Sequence, residues 1–403
     1  YNIKMGKRKS NETNFTDNNS LETKKPKKSE KEEDTKYLNN EIKDSNESEQ
    51  NNCQNEKIKI IIKSKNLPKP ESKIIKTNKT NKINSKDIVN DLDKFIRFIE
   101  RNRRNDSFFR SRYEKTTLIK LLPTLWKLNR MIGMEKFKKD VINTILFYVQ
   151  CLDIGSELMM HTVIEGSPGT GKTEAAKILG EIYKKLGFLS NDKFIIAKRD
   201  DFIAGYLGQT AIKTRKLLER CEGGVLFIDE AYSLGNKEGK DSFSKEALDL
   251  LNEHLSANKK NFICIIAGYS EHLKTCFFDM NPGLERRFPW KFSLSSYESD
   301  ELCKIFVKQT RNDGWSIDEE TINGSLFEKN KNYFKNNGGD TENLFQKCKI
   351  AHSHRLFLDR MDNKFMKKRL LNKDDIENGL EFHKRNYLDK VDDMDMSWQK
   401  LYS

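Results

Sequence analysis

The residues Gly166-Ser167-Pro168-Gly169-Thr170-Gly171-Lys172-Thr173 are the part of the chain whose types and spacing point most directly to chemistry. They follow an apolar stretch that begins at His161 and fit G-x-x-x-x-G-K-[ST] at every position, between an expected strand and an expected helix. The glycines let the backbone turn consecutive N–H groups toward an anion, and a helix starting at Lys172 adds its positive end. The Lys172 ammonium can reach β- and γ-phosphates, and the Thr173 hydroxyl can hold a Mg²⁺ that bridges them. We therefore expect ATP and Mg²⁺ here. Gly166, Ser167, Pro168, Gly169, Thr170, Gly171, Lys172, Thr173 and Glu174 are assigned to the nucleotide, with Ile132 and Gly133 from the turn 129–133.

A second landmark is Val225-Leu226-Phe227-Ile228-Asp229-Glu230. The apolar residues read as a buried strand, and the two carboxylates fall at its carboxyl end, where open parallel sheets bind ligands. Asp229 would hold the Mg²⁺ through water, and Glu230 would orient and deprotonate an attacking water. Adjacent carboxylates after an apolar strand also occur as plain loop residues. Their pairing with the phosphate loop favours the catalytic reading.

These loops need a scaffold. Further strands are expected at Phe194–Ala197, 262–267 and Trp290–Leu294, with helices at 134–152, 172–186, 210–220 and 244–257. Such alternation across 161–294 implies an α/β domain, a parallel sheet sandwiched by helices, taken as 129–296. From Glu298 to about Tyr387 the periodicity is helical throughout, which implies a small all-α lid domain at 297–390. Gly338-Gly339-Asp340-Thr341 reads as a helix entry there, with Asp340 or Thr341 as cap. Upstream, 87–128 reads as a helical, arginine-rich linker. Leu92, Phe95, Ile96 and Ile99 recur at helical spacing, and an apolar segment at 118–128 is interrupted at Pro123. Arg97, Arg101, Arg103, Arg104, Arg110 and Arg112 are interleaved with Phe108, Phe109 and Tyr113. That mixture either tracks a phosphate backbone and stacks bases, or forms an arm whose arginines face solvent or a neighbouring subunit.

Of the 403 residues, 36% are hydrophobic and 33% charged, which points to a long solvated segment. Residues 1–86 supply it. They are mostly Asn, Lys, Glu, Ser and Thr, too poor in apolar side chains to offset the entropy of ordering, and are expected to be a disordered basic tail. The tail holds 21 Lys and Arg against 13 Asp and Glu, so it carries +8 of the net charge of +13. The clusters Lys7-Arg8-Lys9 and Lys24-Lys25-Pro26-Lys27-Lys28 read as a nuclear-localisation signal, a nucleic-acid patch or a solvated lysine-rich segment. Residues 391–403 read as a second tail. The seven cysteines are scattered and include no C-x-x-C pair, which suits a reducing compartment and argues against a zinc site. No apolar run approaches the roughly 18 residues of a spanning helix, so an intracellular, cytoplasmic or nuclear protein without membrane attachment is expected.

With these residues assembled, the chain resembles the AAA+ ATPases, and among them the rubisco-activase-like CbxX/CfxQ group, from Asn129 to Tyr387. The carrying segments are EGSPGTGKT, RDDFIAGYLGQTAIKT, GGVLFIDEAYSL, IIAGY and NPGLERRF. The resemblance implies a homo-oligomeric ring, commonly a hexamer, with ATP between subunits and a protein client remodelled or threaded through the pore. It places Arg287 where an arginine reaches the next subunit's γ-phosphate, with Arg286 as structural partner or as the finger itself. It gives Tyr206, Leu207 and Gly208 to the aromatic pore loop, and places Tyr269 near a sensor position that usually carries a polar side chain and is a phenol here. The family's small-domain arginine has no counterpart, since 336–346 contain no Lys or Arg. A nucleic-acid motor or loader is the alternative, suggested by the basic tail and the arginine-aromatic stretch.

Overall fold

Strands β1 (Thr162–Gly166), β2 (Phe194–Ala197), β3 (Val225–Ile228), β4 (Ile263–Gly268) and β5 (Trp290–Leu294) form one parallel sheet in the order β2-β3-β4-β1-β5. The computed structural model describes residues 85–152, 159–206, 208–235, 242–257, 261–318, 322–361 and 369–385. The expected tails therefore lie outside the described residues, except that residues 85 and 86 already belong to a helix, Ser85–Asn90.

Because successive side chains of a strand point to opposite faces, each strand feeds two cores. Ile164, Phe227, Ile265 and Phe292 enter one core; Val163, Leu226, Ile228, Cys264 and Ile266 enter the other. The first is covered by α1 (Leu92–Asn102), α2 (Arg112–Asn129), α3 (Glu135–Val149) and α4 (Lys172–Lys185). The second is covered by α5 (Gln209–Arg220), α6 (Ser242–Ala257) and the segment from Leu273 to Phe288. Helices on both faces explain why β3 and β4 are apolar and buried along their whole length.

The arginine-rich region is folded onto this body. Leu92, Phe95, Ile96 and Ile99 on α1 join the same core as the phosphate-loop helix. The expected interruption at Pro123 does not occur, since α2 runs unbroken through it. A proline inside a helix costs about 3 kcal/mol, whereas burying a leucine contributes about 2 kcal/mol. Leu121, Leu125 and Leu128 are all completely buried, so packing wins. Thr124 and Lys127 also hydrogen-bond the Glu181 carboxylate, at 3.1 and 2.6 Å, which fastens α2 to α4.

Beyond the sheet, α7 (Ser299–Asn312), the short helix Gly324–Lys329 and α8 (Gly338–Met361) enclose a third core around Phe306, Phe327, Leu344 and Phe345. The helical C-terminal region includes one parallel pairing of two-residue strands, Ser316–Ile317 with Leu370–Leu371, too short to leave a period in the sequence. Helix α8 begins at Gly338, two residues before the expected cap. Asp340 therefore lies inside the first turn, and its carboxylate accepts from Asn336, from the backbone N at 2.7 Å and from Nδ2 at 3.2 Å.

Candidate nucleotide-binding site

The loop after β1 takes the shape its glycines permit. Gly169 and Gly171 have φ of 67° and 84°, and α4 starts immediately at Lys172. A side chain on Gly169 would sit 2.1 Å from the Asn336 carbonyl, so glycine is required there for space as well as for backbone conformation. Lys172 folds back along the loop, its Nζ donating to the Gly166 carbonyl at 3.0 Å and the Ser167 carbonyl at 2.9 Å. Burial pulls its pKa below the ordinary lysine value, and the nearby charges of Asp229 and Glu230 only partly offset this.

The two chemical landmarks meet. The Thr173 hydroxyl donates to Asp229 Oδ2 at 3.1 Å, bridging the start of α4 and the carboxyl end of β3. Glu230 follows in the left-handed region at φ 50°, and its backbone N donates to Asp229 Oδ1 at 3.1 Å. This sparsely populated conformation turns the chain sharply off the strand and leaves Glu230 exposed at the cleft. The cleft measures about 930 Å³, and Ile132, Pro168, Gly169, Gly171, Lys172, Thr173, Glu174, Asp229 and Glu230 line it. Gly166, Ser167 and Thr170 do not line it, Thr170 being fully buried, and Gly133 packs against the Glu301 carboxylate and not along the cleft wall.

Several lining residues were not anticipated as site residues. Tyr232 stands beside Glu230, and burial together with the Glu230 charge raises its hydroxyl to about 12. Its ring lies 5.7 Å from that of Tyr269, and Lys172 Nζ sits 5.4 Å from the centre of the Tyr269 ring. The unusual residue at the expected sensor position thus offers the lysine an aromatic face. Tyr297, Gln309, Gly338 and Gly339 bring the helical region to the opposite wall. Only the position of Tyr232, two residues past the carboxylates, was a signal available in the sequence; the others depend on long-range packing.

The remaining residues lie elsewhere. Arg286 is exposed and Arg287 half-buried, with the Arg287 Nε enclosed and without a hydrogen-bond partner. Tyr206 is 74% exposed, so it is not a buried turn residue; Gly208 caps α5 at φ 77°, and Leu207 is outside the described residues. Arg101, Arg103, Arg104, Arg110 and Arg112 are all exposed and form no ion pair among the described residues, whereas Arg97 pairs with Asp93. No described helix is long and apolar enough to cross a membrane.

Fold and site together define a nucleotide-binding protein of the P-loop class. Residues 162–293 match the family described as ATPase family associated with various cellular activities (AAA). The chain is 41% identical over 238 residues to a cfxQ-like protein of Acanthamoeba polyphaga mimivirus, covering 59% of each. It is 34% identical over 201 residues to stage V sporulation protein K of Bacillus subtilis, covering 48% of this chain and 62% of that one. It is 32% identical over 212 residues to the chloroplastic ribulose bisphosphate carboxylase/oxygenase activase of Cyanidioschyzon merolae, covering 52% and 68%. The chain belongs to the AAA ATPases, in their CbxX/CfxQ group. It spans about three-fifths of the length of the first two relatives, 59% and 62%.

Proposed function

We propose that the protein hydrolyses Mg²⁺-ATP in a homo-oligomeric ring, commonly a hexamer in this family, and uses the cycle to remodel or thread a protein client. The observation that carries the reading is the convergence of Lys172, Thr173, Asp229 and Glu230 on one cleft, with Thr173 and Asp229 in direct contact at 3.1 Å. A hydroxyl and a carboxylate brought together beside a phosphate loop are the oxygen donors a hard divalent cation takes, so these residues fit Mg²⁺. Bound there, the cation would neutralise charge between β- and γ-phosphates.

Each protein group has its own part. The loop N–H groups and the start of α4 receive the phosphates, and Lys172 exchanges its two carbonyl partners for phosphoryl oxygens. Glu230, exposed at the cleft, orients and deprotonates the attacking water. Arg287 supplies its guanidinium to the neighbouring subunit's γ-phosphate, where a rigid fork suits charge spread over several oxygens. Arg286, exposed beside it, is the other candidate for this role. Tyr206, with Leu207 and Gly208, grips the client, and its exposure between two glycines suits that use.

The test splits the two halves of the site between subunits. Arg287→Ala and Glu230→Gln should each hydrolyse ATP on the order of 10³-fold more slowly while binding it nearly normally. In mixed rings, interfaces that pair an intact Glu230 with an intact Arg287 should recover part of the activity. Mixed rings seen by native mass spectrometry without any recovery would refute the trans assignment.

A second reading, a nucleic-acid-associated motor, is favoured by the exposed arginines of 101–112 around Phe108, itself 44% exposed. The expected basic tail that would add to it lies outside the described residues. Turnover stimulated by single-stranded nucleic acid and lost when Arg103 and Arg104 become alanine would select it.

A further inference from the structure

The phosphate loop is held from behind by residues outside the parallel sheet. Ser296 Oγ lies 3.4 Å from Ser167 Oγ, and Asn337 Nδ2 donates to the Pro168 carbonyl at 3.0 Å. The Gly338 backbone N donates to the Gly169 carbonyl at 3.1 Å, and the Tyr297 hydroxyl donates to the Thr170 carbonyl at 3.0 Å. Four consecutive loop residues are thus each tied to the connection into α7 or to the start of α8.

Covalent geometry gives these ties a consequence at the cleft. In a trans peptide the C=O and the following N–H point in opposite directions. Fixing the carbonyls of Pro168, Gly169 and Thr170 toward the helical region therefore turns the N–H groups of Gly169, Thr170 and Gly171 the other way, as an anion cradle needs.

Asn337 joins all three parts. Its Oδ1 accepts from the Tyr297 backbone N at 3.0 Å while its Nδ2 holds Pro168, and only 1% of the residue is exposed. It sits at φ 51°, a left-handed conformation that Asn and Gly tolerate better than other residues. Nothing in this contact is charged, in keeping with the lack of Lys or Arg from 336 to 346.

We propose that Asn337 is the positioning residue that couples the orientation of the helical region to the anion affinity of the phosphate loop, in place of an arginine contacting the nucleotide. The inference rests on the nucleotide-binding reading of the cleft. Asn337 does not touch the reacting atoms; it acts through the peptide planes of residues 168–171.

The test compares Asn337→Gly, which keeps the backbone conformation and removes every side-chain bond, with Asn337→Asp, which keeps the acceptor for Tyr297 but presents a carboxylate to the Pro168 carbonyl. Binding of ADP to the full chain is measured by titration, alongside kcat and KM for ATP. Both variants should bind ADP about tenfold more weakly, the effect of one or two lost buried hydrogen bonds. KM should rise by a similar factor with kcat changed less than twofold, and ADP should raise the melting temperature less than in the wild type. A purely structural role would instead lower the melting temperature without nucleotide and leave the affinity of the folded fraction unchanged. Wild-type affinity in Asn337→Gly overturns the coupling. Failure of the wild-type chain itself to bind ADP overturns the nucleotide reading, a separate result.

Discussion

Two charged clusters in this molecule are built on opposite plans. In the helical region, Asp375 is 1% exposed and fully engaged: Arg355 donates to it through Nε at 2.8 Å and Nη2 at 2.7 Å, with His352 Nδ1 at 2.9 Å and the Asn372 backbone N at 3.0 Å. At the cleft, Lys172 has two neutral carbonyls for partners, and Glu230 faces solvent. Burial alone would raise the Asp375 carboxyl, but its Arg355, Asn372 and His352 partners hold it below the usual carboxylate range. The Lys172 ammonium, by contrast, is destabilised by burial, which the charges of Asp229 and Glu230 only partly offset. A closed cluster fixes a fold; an open one is completed by a ligand.

The closed cluster should fail by losing stability. Asp375→Ala would leave the buried His352 without this carboxylate and Arg355 with Asp359, at 3.4 Å, as its remaining acidic partner, and breaking such a buried pair costs about 3 to 5 kcal/mol. Because Arg355 keeps 16% of its side chain exposed, the lower end is expected. Chemical denaturation followed through Trp315, whose ring lies 5.2 Å from that of His352, measures it. A loss below about 1 kcal/mol would place Asp375 with ordinary surface ion pairs.

A smaller effect comes from a buried histidine. His161 Nδ1 accepts from the Cys264 backbone N at 3.1 Å, while Nε2 is enclosed near the Leu255 backbone without a well-formed hydrogen bond. Burial first, with repulsion from His254 and Arg287, lowers its pKa from 6.5 to about 4. The unfolded chain therefore takes up a proton near pH 6.5 that the folded chain refuses until about pH 4. Stability is fully present above pH 6.5 and falls through this window, by about 2 kcal/mol at pH 5. His161→Asn, which keeps an acceptor for Cys264, should remove that part of the acid sensitivity. An unchanged pH profile would show that His161 is already solvated.

How much of this was legible in the sequence follows from how local each signal is. The phosphate loop, the Asp229-Glu230 pair and all five strands are local patterns of glycines, carboxylates and short apolar runs, and they could be read directly. Pro123 misled because three leucines on the buried face of α2 outweigh one missing backbone bond, a sum that requires knowing what α2 packs against. Asn337 and Tyr297 were not marked as site residues, because their partners Pro168 and Thr170 are 169 and 127 residues away in the chain. Helix α8 starts at Gly338, ahead of the expected cap, because Asp340 looks like a cap but bonds back to Asn336 from within the helix.

Lys172, held only by two loop carbonyls, is the charge the cleft leaves open for phosphate. Titration of the wild-type 403-residue chain and of Lys172→Ala with a fluorescent ADP analogue and Mg²⁺ tests it directly, with circular dichroism as the check on folding. The expected result is a folded variant whose affinity is at least about 100-fold weaker, since a charge-assisted contact to phosphate is lost and a neutral side chain cannot replace it. A folded Lys172→Ala protein that binds the analogue as tightly as the wild type would contradict the assignment of the cleft.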